Sequence, residues 1–232
     1  MSQFIVALLF ALPAVADVTP TQIDVPVHRA YIPIGFDDND NAQVTVEGIF
    51  SDTCYRVGPA RAVIHSNNHT IAIHQTAYRY GGICVQLLIP FTKTVDIGFT
   101  PRGNFAIVDA MTGMNLGDLP ITRAPNEEAD DFLYAPIGDA YVRVDTEAKT
   151  NTLVLTGAFS DRCTVIKDVK VNYYKDVLVV QPIAEHTSGR ADCSGRTRFQ
   201  KLIELKSDLR GTFLLHVRSM EGKAINKMID IP

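Results

Sequence analysis

The feature that most constrains this chain is that it says the same thing twice. Gly48-Ile49-Phe50-Ser51-Asp52-Thr53-Cys54 returns 109 residues later as Gly157-Ala158-Phe159-Ser160-Asp161-Arg162-Cys163. Other landmarks follow in the same order. Tyr31-Ile32-Pro33-Ile34-Gly35 is answered by Tyr134-Ala135-Pro136-Ile137-Gly138, and Cys84 by Cys193. Gly103-x-Phe105-x-Ile107 is answered by Gly211-x-Phe213-x-Leu215, and Met111-Thr112-Gly113 by Met220-Glu221-Gly222. Ordered self-similarity at a near-constant offset is the signature of a duplicated structural unit. The 232 residues therefore divide into two copies of one module of about 100 residues, 17–124 and 132–232. The acidic, Pro-containing stretch 125–131 carries no apolar periodicity and falls between them as a linker.

Cysteine placement repeats with the module. Cys54 and Cys84 are 30 residues apart, and so are Cys163 and Cys193. Four cysteines allow three connectivities, and the repeat favours one bridge within each half. The opening of the chain supplies the oxidising compartment that such bridges need. Phe4 to Leu12 is an unbroken apolar run, followed by Pro13 and the small-x-small pattern Ala14-Val15-Ala16. That combination reads as a secretory signal peptide over 1–16, too short to span a bilayer as a stable helix. The expected location is extracytoplasmic, in periplasm or medium, with no transmembrane segment. Paired cysteines are also removed from service as nucleophiles or metal ligands.

Within each copy the apolar residues alternate. Val44, Val46 and Phe50 alternate with Thr45, Glu47 and Ile49; Leu153, Leu155 and Phe159 alternate with Val154, Thr156 and Ala158. A period of two marks strands with one buried face. Gly48 and Gly157 fall on the inward phase, which predicts a bulge or a close approach of backbone, with room for the neighbouring disulfide. Further strands are expected at 62–65, 70–74, 85–89, 94–97 and 105–109, and at 169–173, 177–180, 199–205 and 212–217. No stretch of the mature chain has helical periodicity. The fold class is all-β, two tandem immunoglobulin-like β-sandwich modules, without the Trp that marks antibody domains, since the chain has none.

The pattern Y-x-P-I-G, then G-x-F-S-D-x-C, a second Cys 30 residues on, and a G-x-F strand leading to M-x-G resembles a class of uncharacterised secreted bacterial proteins built from tandem modules. The stretch Leu214 to Lys223 is similar to the end of such proteins. The resemblance implies a bacterial extracytoplasmic location and brings no catalytic residues with it.

Chemistry-bearing residues are few. The formal net charge of −4 provides no field for neutralising a run of phosphates, which excludes nucleic acid as the expected partner. His65, His69 and His74 fall around Ser66-Asn67-Asn68-His69, a hairpin turn that pairs His65 with Thr70 and Ile64 with Ile71. That register sends the three rings to different places, so no metal site is expected there. Asp37-Asp38-Asn39-Asp40-Asn41 begins like a calcium loop, but Ala42 stands where the turn needs Gly and Gly48 where a Glu is required. A solvated acidic loop is expected, the alternative being a looser calcium site shared with the acidic linker. Asn68-His69-Thr70 has the form of a glycosylation sequon, relevant only in a eukaryotic host. Ser51-Asp52 and Ser160-Asp161 are expected to bond nearby backbone amides in turns.

The segment Tyr78-Arg79-Tyr80-Gly81-Gly82 precedes Cys84, and His186-Thr187-Ser188-Gly189-Arg190 precedes Cys193. Tyr78, Arg79 and Tyr80 are residue types enriched at binding hot spots, which makes this the candidate partner-binding loop. The function expected is binding or envelope structure, without enzymatic activity or cofactor. The alternatives are a protease inhibitor presenting the same braced loop, and a hydrolase whose triad is scattered along the chain. Protein purified from its native culture should begin at Asp17 and, mapped without reduction, yield the peptide pairs Cys54–Cys84 and Cys163–Cys193; a retained Met1 with free thiols would overturn the compartment.

Overall fold

A computed structural model of the chain describes residues 19–128, 130–145, 147, 150–187 and 192–232. The expected signal segment lies outside the described residues, as do Ala129 of the linker and 188–190 of the second loop. All regular structure in the described residues is β. The first half contains β1 (Thr21–Asp24), β2 (Arg29–Tyr31), β3 (Phe36–Asp37), β4 (Ala42–Asp52), β5 (Tyr55–His65), β6 (Thr70–Arg79), β7 (Gln86–Gly98), β8 (Gly103–Asp109) and β9 (Asn115–Thr122). One sheet runs β2-β4-β7. In the other, β5 pairs with one edge of β6, and the second edge of β6 is shared by β1 at 76–79 and by parallel β8 at 70–73. Inward residues of both sheets, among them Val44, Val46, Phe50, Ile71, Ile73, Phe105 and Leu119, meet in one core.

The second half contains β10 (Ile137–Asp145), β11 (Thr150–Phe159), β12 (Thr164–Tyr174), β13 (Val177–His186), β14 (Thr197–Glu204), β15 (Gly211–Ser219) and β16 (Lys223–Ile231). Its sheets run β10-β11-β14 and β12-β13-β15-β16, with the parallel pair β13 with β15 in the place of β6 with β8; the first half has a second parallel pair, β3 with β9. The order of partners matches β2-β4-β7 and β5-β6-β8-β9. Leu153, Leu155, Leu178, Val180, Leu215 and Val217 form the core between them.

Two expectations about the strands need correction. The Tyr31 and Tyr134 motifs do not occupy equivalent places. Ala30 and Tyr31 face Val46 and Thr45, whereas the residues facing Leu155 and Val154 are Ala140 and Tyr141. Tyr134 lies before the strand, bridged to Ile183. Stretches 85–89 and 94–97 belong to one strand, β7, that runs through Pro90. Proline is tolerated there because β7 pairs only with β4 and its other edge has no ladder to break.

Gly48 and Gly157 mark a close approach, as the pattern predicts, but an aromatic ring and a carbonyl close over them rather than the disulfide. A Cβ on Gly48 would meet the Phe91 ring and come within 2.9 Å of the Pro26 carbonyl oxygen. On Gly157 it would lie 2.5 Å from Phe199 Cζ and closer still to the carbonyl oxygen of Pro136. Phe91 stacks on Phe50, and Phe199 packs tilted against Phe159.

The halves are joined by a buried contact. The outward residues Val177, Val179 and Leu214 pack against Tyr31, so β13 and β15 are covered on both faces. Beside them Arg218 of β15 reaches into the segment 35–40 around β3. Its Nη1 lies 3.2 Å from Asp40 Oδ2, its Nη2 donates to the Gly35 carbonyl, and its guanidinium sits 5.0 Å over the Phe36 ring. The two ion-pair side chains are 6% and 8% exposed. The acidic run is thus not a solvated loop. Asp37 and Asp40 are buried, and the charge that Asp40 meets is Arg218. Burial pushes the Asp40 carboxyl up, with Arg218 opposing, and burial also pushes up Asp131, whose nearest charges include Asp37. The linker joins this contact: Asn39 Nδ2 donates to the carbonyls of Asn126 and Glu128, and Asp130 accepts from the Glu221 N–H. At the rim, Arg29 pairs with Asp176 at 2.6 Å, and Tyr31, buried and bonded to Glu47, has its hydroxyl pushed up to about 12.

His216 completes the contact. Its Nδ1 lies 2.7 Å from Asn226 Oδ1, and Asn226 in turn donates to Gln43 of the first half at 2.8 Å. Complete burial lowers its pKa from 6.5 to about 4, the Asn226 bond opposing and the Arg218 charge adding to the shift. A histidine neutral in the fold and protonated in the unfolded chain contributes stability above pH 6.5 that is lost as pH falls toward 4. His216→Gln should flatten the pH dependence of the unfolding free energy by about 3 kcal/mol across that window, read from urea titrations. Gly157→Ala should cost about 1–3 kcal/mol, and more than Gly48→Ala, because backbone rather than a ring edge stands closest.

Candidate functional site

Both pairs of cysteines are bridged, Cys54 with Cys84 and Cys163 with Cys193. Each bridge ties the end of a central strand to the loop leading into an edge strand, β4 to β7 and β11 to β14. Local hydrogen bonds fix both corners. The Asp52 carboxylate accepts from the Cys54 N–H at 2.9 Å, and Asp161 accepts from the N–H groups of Cys163 and Thr164 at 2.7 Å each. Across the first corner, Thr53 N–H donates to the Val85 carbonyl and Tyr80 N–H to that of Cys54. Across the second, Arg162 N–H donates to the Cys193 carbonyl and Thr187 N–H to that of Cys163. The recurring Asp therefore caps backbone, as its place at a strand end predicts. The Ser51 hydroxyl turns instead to Asp52, at 3.4 Å.

The candidate loop is shorter than its sequence suggests. Tyr78 and Arg79 lie inside β6, paired to Gln22 and Thr21 on one side and to Arg56 and Tyr55 on the other. Arg79 rests over the Tyr55 ring, and only Tyr80 stands beyond the strand. What the corner presents to water is the chain on either side of Cys84. Ile83 is fully exposed, Leu88 71%, Val85 62% and Leu87 58%, with Ile49 of β4 beside them at 47%. The register shift between Phe50 and Asp52 explains why so many apolar side chains leave the core together, since the alternation that would turn every second one inward is broken there. The sequence signal was the run Val85 to Pro90, which fits a buried strand equally well.

The histidine turn has the predicted register, His65 opposite Thr70 and Ile64 opposite Ile71. His69, with φ at 52°, packs on Phe105, while His74 lies opposite Arg61. Two sets of ligand-type atoms in the described residues come within 4.8 Å of one another, Cys163–His186–Cys193 and Asp52–Cys54–Cys84. Both contain the two sulfurs of a disulfide, which has no thiolate to offer a metal. Thr164, His186 and Asp161 also cluster. The Thr164 hydroxyl and the Asp161 carboxylate approach the same ring nitrogen, Nδ1, at 3.2 and 4.0 Å. A hydroxyl-histidine-carboxylate relay needs the two partners on different nitrogens, so this cluster is a capped turn and not a triad. The Thr164 hydroxyl and then the backbone donors hold Asp161 below the usual carboxylate range.

Residues 44–108, from β4 through most of β8, match the model of the ORF11 beta-sandwich domain family. The apolar corner falls within that span, and the chain is similar to that family over it. No curated protein and no solved structure matches the chain. No helix in the described residues is long and apolar enough to cross a membrane. Replacing Cys54 and Cys84 together by Ala should lower the unfolding free energy by about 2–5 kcal/mol, measured by urea denaturation, while leaving the Cys163–Cys193 bridge intact on peptide mapping.

Proposed function

We propose that this chain is an extracytoplasmic, non-enzymatic binding protein of two tandem immunoglobulin-like modules, 17–124 and 132–232, joined by 125–131. On this reading residues 1–16 are the export signal, removed after Ala16, and the source is bacterial. Two disulfides support the compartment, since such bridges persist where thiols are not kept reduced. The matching order of strand partners in the two halves supports the duplication.

The observation that carries binding is the apolar corner. Ile83, Val85, Leu87 and Leu88 put four large apolar side chains into water within six residues. Covering such side chains is worth about 1.5–3 kcal/mol each, so a soluble chain that leaves them together in water is marked for contact with another surface. The second half supports the same conclusion, because the stretch after Cys193 is Ser194-Gly195-Arg196-Thr197-Arg198. The fold itself does not require apolar residues there. A bridge, two backbone hydrogen bonds and a third from the Val85 N–H to the Thr53 hydroxyl hold the corner in place beforehand, which reduces the ordering cost of docking. The partner is an extracytoplasmic protein or envelope component with an apolar patch of its own.

One observation favours inhibition as a second reading. A fully exposed Ile83 next to a bridged Cys84 resembles a segment offered to a protease, and a panel of extracellular proteases tests it. For the leading reading, the variant Leu87→Asp/Leu88→Asp should fold with an unchanged urea midpoint. It should bind the partner identified by cross-linking in the native extracytoplasmic fraction, then purified, at least 100-fold more weakly than the unaltered protein. Equal affinity would overturn the assignment of the corner.

A further inference from the structure

A second surface differs from the apolar corner in chemistry and lies in the other half. A groove of about 710 Å³ lies where the start of β10, the end of β11 and the start of β14 come beside the turn between β15 and β16. Its lining includes the small residues Gly138, Gly157 and Ala158 together with Arg196, Arg198 and Met220. That volume falls within the range of small-molecule sites, roughly 300–1,000 Å³. Arg196 immediately precedes the edge strand β14 and Arg198 is its second residue, and both line the groove. Among the described residues neither guanidinium meets a carboxylate, a carbonyl or an aromatic ring. The one carboxylate lining the groove, Glu221, is taken by Lys223 at 2.6 Å. Two uncompensated positive charges thus face a trough on a chain whose net charge is −4.

The first half shows that this arrangement is not imposed by the fold. Ala158 pairs with Arg198 where Ile49 pairs with Pro90 in the first half, each pair next to the glycine and phenylalanine that close the core. The same place is apolar in one copy and basic beside small residues in the other. Guanidinium groups bind carboxylate and phosphate oxygens in a two-pronged manner, and a pair of them in one groove suits two such groups along an extended ligand. We propose that the groove between Arg196, Arg198 and the 220–223 turn binds a ligand carrying two oxyanions, carboxylate or phosphate, one for each guanidinium.

Tetraglutamate and inorganic tripolyphosphate serve as the two probes, titrated separately into the full mature chain labelled with nitrogen-15. Saturable shifts are expected at the amides of Gly138, Gly157 and Ala158 and at the side-chain N–H signals of Arg196 and Arg198. Whichever probe binds more tightly identifies the oxyanion. Arg196→Gln/Arg198→Gln should weaken that binding at least tenfold and leave the urea midpoint unchanged, both residues being exposed. Ala158→Glu, which fills part of the groove and occupies Arg198, should weaken it likewise. The proposal is overturned if neither probe gives saturable shifts at these residues, or if the double glutamine variant binds as the unaltered protein does. Leu87→Asp/Leu88→Asp should leave this titration unaffected, which separates the groove from the apolar corner.

Discussion

A guanidinium with almost no access to water has to be compensated where it lies, and Arg218 is compensated by the other half of the chain. Asp40 supplies the charge, the Gly35 carbonyl accepts a hydrogen bond, and the Phe36 face lies against the cation. All three come from residues 35–40, which run from just before β3 to the turn after it. Its Nε finds no acceptor in the described residues, so the compensation is incomplete and the remaining contacts matter more. Removing one member of a buried pair leaves the other uncompensated, at a cost of about 3–5 kcal/mol.

Other features of the junction follow from that contact. Holding Arg218 against Asp40 brings Leu214 and His216, its outward neighbours on β15, onto the first half. This in turn covers Val177 and Val179 and forces His216 to stay neutral. The linker is drawn in as well, through Asn39 and Asp130. An ion pair alone would be weak evidence for stability. Here it is accompanied by apolar burial around Tyr31 and by the His216–Asn226–Gln43 chain, and together these specify one arrangement of the halves. The apolar corner on one half is then carried by a body whose halves are held together by these contacts.

The disulfides, the strand character of the chain, the inward glycines and the histidine turn were legible because each depends on local spacing. Gly48 needed only its phase on a strand to be noticed, though not which ring would close over it. The junction was not legible in the same way. Asp40 and Arg218 are 178 residues apart, and an acidic run with its cation on a distant strand is indistinguishable in sequence from a solvated loop. A trace of it was present in 177–180 and 214–217, where apolar residues fail to alternate, the pattern of strands covered on both faces. Tyr31 and Tyr134 are a different case: the short motif recurs at an offset of 103 rather than 109, and pairing register separates the two. At the candidate site, the cysteine corner was found, but the apolar residues following it resembled an ordinary buried strand. Only the register shift opposite Phe50 reveals that they face water.

The central claim is that the buried Arg218–Asp40 contact fixes the two halves as one body. A double-mutant cycle with Arg218→Met, Asp40→Leu and both together, read by urea unfolding at pH 7, tests it most directly. The account predicts a single transition for the unaltered protein and a coupling of about 2 kcal/mol or more, with the double variant less destabilised than the sum of the single ones. Additive effects within about 0.5 kcal/mol, or two separate transitions in the unaltered protein, would contradict it.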